Sequence, residues 1–213
     1  MNRGARMRHC LHPILALLLA AGAGCSAIPE ETYFTLAYSL RPPAAGERPV
    51  AGTLRVRDLD VSPAYDKDRI VYRFSPYQFQ YYNYMLWAVK PNKMVTDLLA
   101  RHLGHAGVFE AVQREYADSP PEFELAGMLE AIEELDSGDE WFAHLVVVLQ
   151  LIRRADGRTV WTKRIDAQKR VYNKQPVYVV RAISELLEEE LDAACQELRT
   201  VMARARPPAE DAP

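Results

Sequence analysis

The stretch Trp141–Ile152 reads WFAHLVVVLQLI, and this apolar run decides the fold. A short apolar run bounded by turn signals predicts a β-strand. The segment before it, Asp136–Asp139, reads DSGD and predicts a turn. Asp156 and Gly157, which follow it, predict a hairpin loop leading into a second strand, Thr159–Val171.

Residues 122–135 come before this hairpin and carry two conflicting patterns. Their content of Glu, Ala, Leu and Met favours a helix. Their alternation of apolar and acidic side chains favours a strand. The alternating apolar residues are Phe123, Leu125, Gly127, Leu129 and Ala131, and the acidic ones are Glu122, Glu124 and Glu130. If this segment is a strand, residues 122–171 form a three-stranded antiparallel meander.

Two other segments have the spacing of amphipathic helices. Pro91 suits the first turn of a helix Pro91–Gly104, because its missing N–H has no partner there in any case. A longer helix, Val177–Ala203, carries a stripe of apolar residues that must face a sheet or a partner. The stripe consists of Val180, Ile183, Leu187, Leu191, Ala194, Leu198 and Val201. These patterns predict an α+β fold, an antiparallel-rich β-sheet with both helices packed on one face.

The remaining chain predicts short strands, a linker and a tail. The strands are expected within Thr32–Leu40, Leu54–Val61, Arg69–Phe74 and Val108–Val112. Pro42, Pro43, Gly46 and Pro49 predict an extended linker. The chain is therefore expected to consist of four regions. They are a signal peptide at 1–24, a lipidated N-terminus with first strand and Pro-rich linker at 25–52, an α+β domain at 53–203, and a disordered tail at 204–213.

The first 24 residues have the three parts of a secretory signal peptide. Arg3, Arg6 and Arg8 form a positive start, and Leu11–Ala23 is an apolar core that is short for a membrane span. Small residues then lead to Cys25. The segment is therefore expected to direct secretion and to be removed.

Cys25 resembles the cysteine of a bacterial lipobox, which is acylated and becomes the new N-terminus. The lipobox usually has an aliphatic residue three positions before the cysteine, and this chain has Gly22. The alternative is an ordinary signal peptide cut near Ala23, which leaves Cys25 as a free thiol. Ser26 follows the cysteine, where Asp would favour retention in the inner membrane. We therefore expect a lipid anchor at Cys25 in the outer membrane, facing the periplasm.

The composition of the mature chain excludes some classes of function. Residues 1–24 hold three Arg and no acid, so 189 residues remain with 23 basic and 29 acidic side chains, a formal charge of −6. A nucleic-acid-binding surface normally shows a basic excess, so no such partner is expected. Cys195 is left as a single cysteine, which excludes a disulfide framework and indicates a buried, inert thiol.

An aromatic run between Tyr77 and Trp87 is the most unusual part of the sequence. Strict alternation places Phe79, Tyr81, Met85 and Trp87 on one face of a strand, and Gln78, Gln80, Tyr82 and Tyr84 on the other. Our hypothesis is that Tyr82 and Tyr84 contact a subunit or partner, while Phe79, Tyr81 and Trp87 belong to the core. The alternative is that all of them pack within the domain.

The residue types needed for catalysis do not form a recognisable pattern. His102 and His105 have a spacing that could share a metal ion, but a solvated helix end is the preferred interpretation. His144 lies in an apolar strand and is expected to be a hydrogen-bonded sheet histidine. Carboxylate pairs are expected on solvated faces. The sequence has no phosphate-binding glycine loop and no nucleophile elbow, so we expect no enzyme activity, no cofactor and no metal.

The mature chain resembles the ABC-type transport auxiliary lipoproteins, a family that includes the Pqi-type outer-membrane lipoprotein. The resemblance spans about residues 25–200, rests on an ordered set of short segments, and favours the strand interpretation of residues 122–135. The segments are Tyr33-Phe34-Thr35-Leu36, Leu54-Arg55-Val56, Pro63-Ala64-Tyr65, Asp68-Arg69-Ile70-Val71-Tyr72-Arg73, Trp87, Pro91, Leu125-Ala126-Gly127, Trp141, Ala143 and Trp161.

The resemblance implies an accessory subunit that works with a mammalian cell entry (MCE) protein and an inner-membrane ABC transporter. Its cargo would be phospholipid or another hydrophobic molecule. Further copies of the same chain are also candidate partners, in a homo-oligomer. The acidic residues Glu133-Glu134 and Glu188–Glu190 depart from the family pattern. An alternative function is an assembly or pilot lipoprotein of another envelope machine, for secretion or lipopolysaccharide assembly.

We predict that Cys25→Ala releases the domain from the membrane as a soluble periplasmic protein. The physical reason is that each buried methylene of an acyl chain adds about 0.8 kcal/mol of membrane affinity, and the variant loses all of them. Fractionation of cells that lack the partner proteins measures the result. Recovery of the variant with the outer membrane would place the anchor elsewhere in the chain.

Overall fold

The computed structural model describes residues 29–40, 48–115 and 120–205. In chain order the elements are β1 Thr32–Phe34, β2 Ala51–Val56, β3 Asp60–Val61, β4 Arg69–Ser75, β5 Gln78–Trp87, α1 Pro91–Ala106, β6 Phe109–Gln113, β7 Phe123–Ser137, β8 Glu140–Arg153, β9 Thr159–Val171 and α2 Pro176–Ala205. The signal segment, Cys25, residues 41–47 of the linker and the tail from residue 206 lie outside the described residues.

The predicted α+β class and the meander are confirmed. Residues 123–137 form the strand β7, so alternation prevails over helix propensity in the ambiguous segment. β7 pairs with β8 along its length, and β8 pairs with β9, in both cases antiparallel. The two predicted helices are present, and each is slightly longer than predicted.

The sheet is mixed, which corrects the expectation of an antiparallel-rich sheet. β2, β3 and β4 follow one another along one edge of β7 and all pair with it in parallel. β6 pairs in parallel with β2, and β1 pairs in parallel with β5. Parallel neighbours need a crossover connection, and α1 lies within the one between β2 and β6. The alternation of side chains does not reveal such pairings, because it is the same for both strand directions.

The core lies between the helices and one face of the sheet. On β8 the alternating residues Ala143, Leu145, Leu149 and Leu151 are at most 1% exposed. α2 contacts β8 and β9, α1 contacts β2 and β6, and the two helices contact each other. Both helices therefore cover the same face, here called the helix face, and the opposite one is called the far face. The apolar stripe predicted on α2 supplies much of this core.

The chain after β1 enters the core, which explains why this strand is shorter than predicted. Leu36 is only 3% exposed and belongs to the hydrophobic core. The backbone N–H of Ala37 donates to Ser184 Oγ on α2, at 3.2 Å. Tyr38 Oη lies 3.2 Å from His102 Nδ1 on α1. Residues 35–40 therefore tie the N-terminal strand to both helices.

Gly127→Ala is predicted to destabilise the domain by about 2 kcal/mol or more, because overpacking a core forces its backbone apart. A methyl group at this position of β7 would lie 2.2 Å from the carbonyl oxygen of Val148. Urea unfolding measures the loss.

Gly104→Ala is the matched control. Its methyl group would meet Val112 Cβ at an ordinary 3.7 Å on the exposed surface of α1. Because alanine favours a helix over glycine, we expect stabilisation by about 0.5–1 kcal/mol. Equal effects of the two substitutions would contradict the close approach of β7 and β8 at Gly127.

Candidate functional site

The hairpin formed by β4 and β5 carries most of the aromatic run. Tyr77 at its turn is 94% exposed, and Phe79 and Tyr84 are about 40% exposed. Tyr81 and Tyr82 are half-buried. Only Trp87, at the end of β5, is fully buried, with 2% exposure. The prediction of core positions is thus confirmed for Trp87 and wrong for Phe79.

A bulge in β5 explains why strict alternation fails here. Between the pairs Arg69–Leu86 and Val71–Tyr81, β5 holds three more residues than β4. An odd number of extra residues exchanges the two faces of a strand. Tyr81 therefore shares the far face with Val71, and Trp87 faces the helices. The predicted grouping of Tyr81 with Met85 and Trp87 is wrong for this reason.

The side chain of Glu133 on β7 lies on the far face, is completely buried and accepts three hydrogen bonds. Tyr65 Oη donates to its Oε2 at 2.5 Å. Arg73 donates to Oε1 at 2.6 Å, and His144 Nδ1 lies 2.9 Å from the same oxygen. Tyr65 and Arg73 belong to segments that carry the family resemblance. Those two segments, which are neighbours in sequence, therefore meet at one carboxylate that lies 60 or more positions further along the chain.

The environment of Glu133 keeps this carboxylate ionised. Burial alone would raise its pKa, but hydrogen bonds from His144 and Tyr65 and the charge of Arg73 outweigh it and hold the pKa below the usual value. Burial lowers the pKa of His144, yet its hydrogen bonds to Glu133 and Asp166 raise that pKa overall. Removal of one partner from a buried ion pair of this kind strongly destabilises the folded protein.

His144 confirms the prediction of a hydrogen-bonded sheet histidine. Its Nε2 lies 3.2 Å from Asp166 Oδ1 on β9, while its Nδ1 is bonded to Glu133. The ring therefore connects a buried carboxylate to an exposed one across three strands. Both ring nitrogens have acidic partners, which is an arrangement suited to a structural imidazolium.

Glu134, the next residue on β7, points to the helix face and is 1% exposed. Tyr82 Oη donates to its Oε2 at 3.0 Å, and burial raises the pKa of Glu134 above the usual range. Burial and the neighbouring carboxylate likewise raise the pKa of Tyr82. The expectation that the paired carboxylates lie on solvated faces is wrong for Glu133 and Glu134. Alternation along β7 sends them to opposite, covered faces.

Tyr82 and Tyr84, the predicted partner contacts, therefore differ. Tyr82 packs its ring on Tyr72, with 4.5 Å between the ring centres, and binds Glu134. Tyr84 is 42% exposed within the bulge. The geometry leaves Tyr84 accessible to a partner and makes Tyr82 partly structural. Whether either residue contacts a partner stays a prediction.

Two further predictions concern α1 and α2. His102 is 5% exposed, and its Nε2 lies 3.2 Å from Asp192 on α2, so the expected solvated helix end is wrong at His102. His102 turns inward because it shares the face of α1 that meets α2. Cys195 is a buried free thiol, as predicted, and burial raises its pKa to about 12.

Two other kinds of site are absent from residues 29–40, 48–115 and 120–205. In these ranges no three His, Cys, Asp or Glu side chains are grouped so that they could hold a metal ion. Likewise, no helix there is long and apolar enough to cross a membrane. Cys25, the predicted lipid attachment site, precedes these ranges.

We predict that His144→Gln flattens the pH dependence of stability above neutral pH. Because its pKa is raised in the folded state, His144 contributes fully below its unfolded pKa of about 6.5, and the contribution is lost as the pH rises through the folded pKa. Urea unfolding of wild type and variant at about pH 6 and about pH 9 measures the difference.

The control is His105→Gln, at an exposed position of α1. It should preserve the wild-type pH dependence. Glu133 acts in the opposite sense, since its lowered pKa gives stability above its ordinary value of 4.5 that is lost in acid. If His144→Gln unfolds with the same pH dependence as the wild type, the buried ion pair is not formed.

Several solved structures share this fold. The crystal structure of protein XCC0632 from Xanthomonas campestris matches with a TM-score of 0.72 and 19% identity, over 82% of this chain and 98% of that chain. The crystal structure of an uncharacterized protein matches with a TM-score of 0.64 and 13% identity, over 80% and 99%. Hypothetical protein CT253 from Chlamydia trachomatis matches with a TM-score of 0.51 and 7% identity, over 72% and 99%. Identities this low support the fold alone.

No curated protein matches the sequence significantly. The model of one protein family does match it, over residues 35–194. This range begins directly after β1, includes β2 to β9 and α1, and ends within α2. The matched range also contains Tyr65, Arg73, Glu133 and His144, which form the buried cluster. The chain therefore belongs to the family described as the ABC-type transport auxiliary lipoprotein component.

Proposed function

We propose that this chain is a lipoprotein anchored in the outer membrane through Cys25 and acts in the periplasm as the accessory subunit of an MCE/ABC-type transport system. The cargo is phospholipid or another hydrophobic molecule, and the transport supports the integrity of the membrane. The observation that carries this proposal is the family match over residues 35–194. The signal peptide that ends at Cys25 supports the anchor.

The chemistry of the domain supports a binding role without catalysis. Its most deeply buried carboxylate, Glu133, is committed to hydrogen bonds with Tyr65, Arg73 and His144. The sequence has no phosphate-binding glycine loop, so ATP hydrolysis belongs to a different subunit. An accessory subunit contributes contacts instead, and it needs a surface that its partner can recognise.

Tyr84 is our candidate for the contact with the MCE protein. β-Bulges often re-aim side chains next to functional sites, and the bulge in β5 turns this tyrosine to the surface. A tyrosine suits such a contact because its ring packs against a partner while its hydroxyl stays hydrogen-bonded. Tyr82 stabilises the same region of β5 through the hydrogen bond that its hydroxyl donates to Glu134.

Co-purification from the native bacterium tests the function directly. A tagged wild-type chain is expected to retain an MCE protein and ABC components, and its deletion is expected to reduce detergent resistance and outer-membrane lipid asymmetry. If a secretion or lipopolysaccharide-assembly machine is retained instead, and lipid asymmetry is unchanged, the transport role is wrong.

The variants Tyr84→Ser and Tyr82→Phe separate contact from structure. Tyr84→Ser should keep the melting temperature and lose the MCE protein, because the side chain is exposed. Tyr82→Phe removes only the hydroxyl that binds Glu134, so it should lower the melting temperature by about 2–4 °C and keep the partner. Scanning calorimetry and co-purification measure both. Retention of the MCE protein by Tyr84→Ser would remove Tyr84 from the interface.

A further inference from the structure

The two ends of the sheet differ in chemistry. At one end β4, β7 and β9 finish, and β5, β8 and α2 begin. We call this the aromatic end, because six of the ten exposed large apolar side chains of the described residues lie there. They are Phe74 at 48%, Tyr77 at 94%, Phe79 at 40%, Tyr172 at 86%, Val177 at 45% and Tyr178 at 38% exposure.

The strand registers place these residues together. Arg73 on β4 is level with Leu135 on β7, and Leu135 is level with Phe142 on β8. The neighbouring residue of β8, Trp141, is level with Val171, the last residue of β9. Adjacent strands lie about 4.8 Å apart, so the row from β4 to β9 spans roughly 15 Å. The exposed aromatics therefore lie at the same end of the sheet.

Basic side chains lie among these aromatics. The guanidinium of Arg170 lies 5.3 Å from the ring centre of Tyr172, and that of Arg181 lies 5.6 Å from that of Tyr178. At the other end of the sheet, the turn between β8 and β9 is charged, with Arg153 bound to Asp156. Among the described residues, the aromatic end combines exposed rings with cations, as residues at a membrane–water interface do. Arg170 is also ion-paired with Glu140, at 2.9 Å.

The N-terminal end of β1 points toward the same end of the sheet. β1 runs parallel to β5, with Thr32 level with Met85, so its first residue is on the side on which β5 begins. Cys25 precedes Thr32 by seven positions, a reach of up to about 25 Å when fully extended. On β5, Gln78 likewise precedes Met85 by seven positions. A segment of this length is therefore long enough to span from Thr32 to the level of the aromatic end.

We propose that the aromatic end lies in the headgroup region of the bilayer that holds the Cys25 lipid. This inference rests on the proposed lipidation for its orientation. Tyrosine rings and the aliphatic parts of arginine and lysine are favourable at that depth, where the rings leave water and the polar ends remain hydrated. The contact holds the domain in one orientation and directs the charged end of the sheet into the periplasm.

Vesicle binding of the complete mature chain with Cys25→Ser tests the surface without the anchor. The vesicles contain phosphatidylethanolamine and phosphatidylglycerol, and flotation measures the partition coefficient. Tyr77→Ser combined with Tyr172→Ser should lower this coefficient about tenfold, which corresponds to a loss of about 1.4 kcal/mol. Both side chains are almost fully exposed, so circular dichroism should show an unchanged fold.

The matched control is Tyr33→Ser, which removes an exposed tyrosine, 60% accessible, on β1. It should change the partition coefficient less than twofold. Equal partitioning of the double variant and the control, or no binding by the parent chain, overturns the inference. Loss of self-association or of MCE binding by the double variant, with vesicle binding unchanged, also overturns it and assigns the surface to a protein.

Mass spectrometry of the native membrane-bound protein separates this inference from the proposed anchor. An unacylated Cys25 would contradict the anchor and therefore the proposed orientation. The vesicle experiment uses a chain without the thiol, so its result on the surface stands whatever the state of Cys25. Acylation together with equal partitioning of the double variant and control supports the anchor and overturns only the membrane contact.

Discussion

The pairing of β7 on both of its edges is the constraint on which the rest of the structure depends. One edge is taken by β8, and the other is taken in turn by β2, β3 and β4, so that residues 51–75 follow β7 as an interrupted strand. Between these segments the chain leaves the sheet, and Leu59 and Tyr65 fill the two faces. β4 pairs with the last part of β7, so both strands finish at the aromatic end of the sheet. The β4–β5 hairpin therefore projects at that end. The position of the aromatic residues is thus a consequence of backbone pairing.

Two adjacent glutamates on β7 hold this hairpin from both sides. Glu133 binds Arg73 of β4 and Tyr65 on the far face, and Glu134 binds Tyr82 of β5 on the helix face. Buried carboxylates are costly unless they are satisfied, so these bonds disfavour other positions of the hairpin. The energetics of the pair differ, because Glu133 has a lowered pKa and Glu134 a raised one. A cluster of this kind specifies a position more than it adds stability.

Local patterns predicted the elements and failed where distant segments meet. The apolar run of β8, the helical spacing of α2 and the alternation in β7 each reflect one buried face, which a single segment reveals. Parallel pairing of β4 with β7 and the bulge in β5 depend on partners elsewhere in the chain, so neither is visible in the segment itself. The same limit applies to His102 and Glu133. Each has the character of a surface residue in the sequence, and only the fold shows that it is buried. Tyr65 and Arg73 were recognised through the family resemblance, and their common partner Glu133 emerges only in the fold.

In the proposed arrangement the hairpin has two neighbours, a bilayer at its turn and a transport protein at its bulge. Site-specific photocrosslinking in the native bacterium tests this division most directly, with a photoreactive phenylalanine derivative at position 77 or 84. We expect Tyr84→benzoylphenylalanine to yield a protein adduct that contains the MCE subunit, and Tyr77→benzoylphenylalanine to yield lipid adducts without a protein band. Protein adducts from both positions, or the MCE adduct from position 77 alone, would contradict this arrangement.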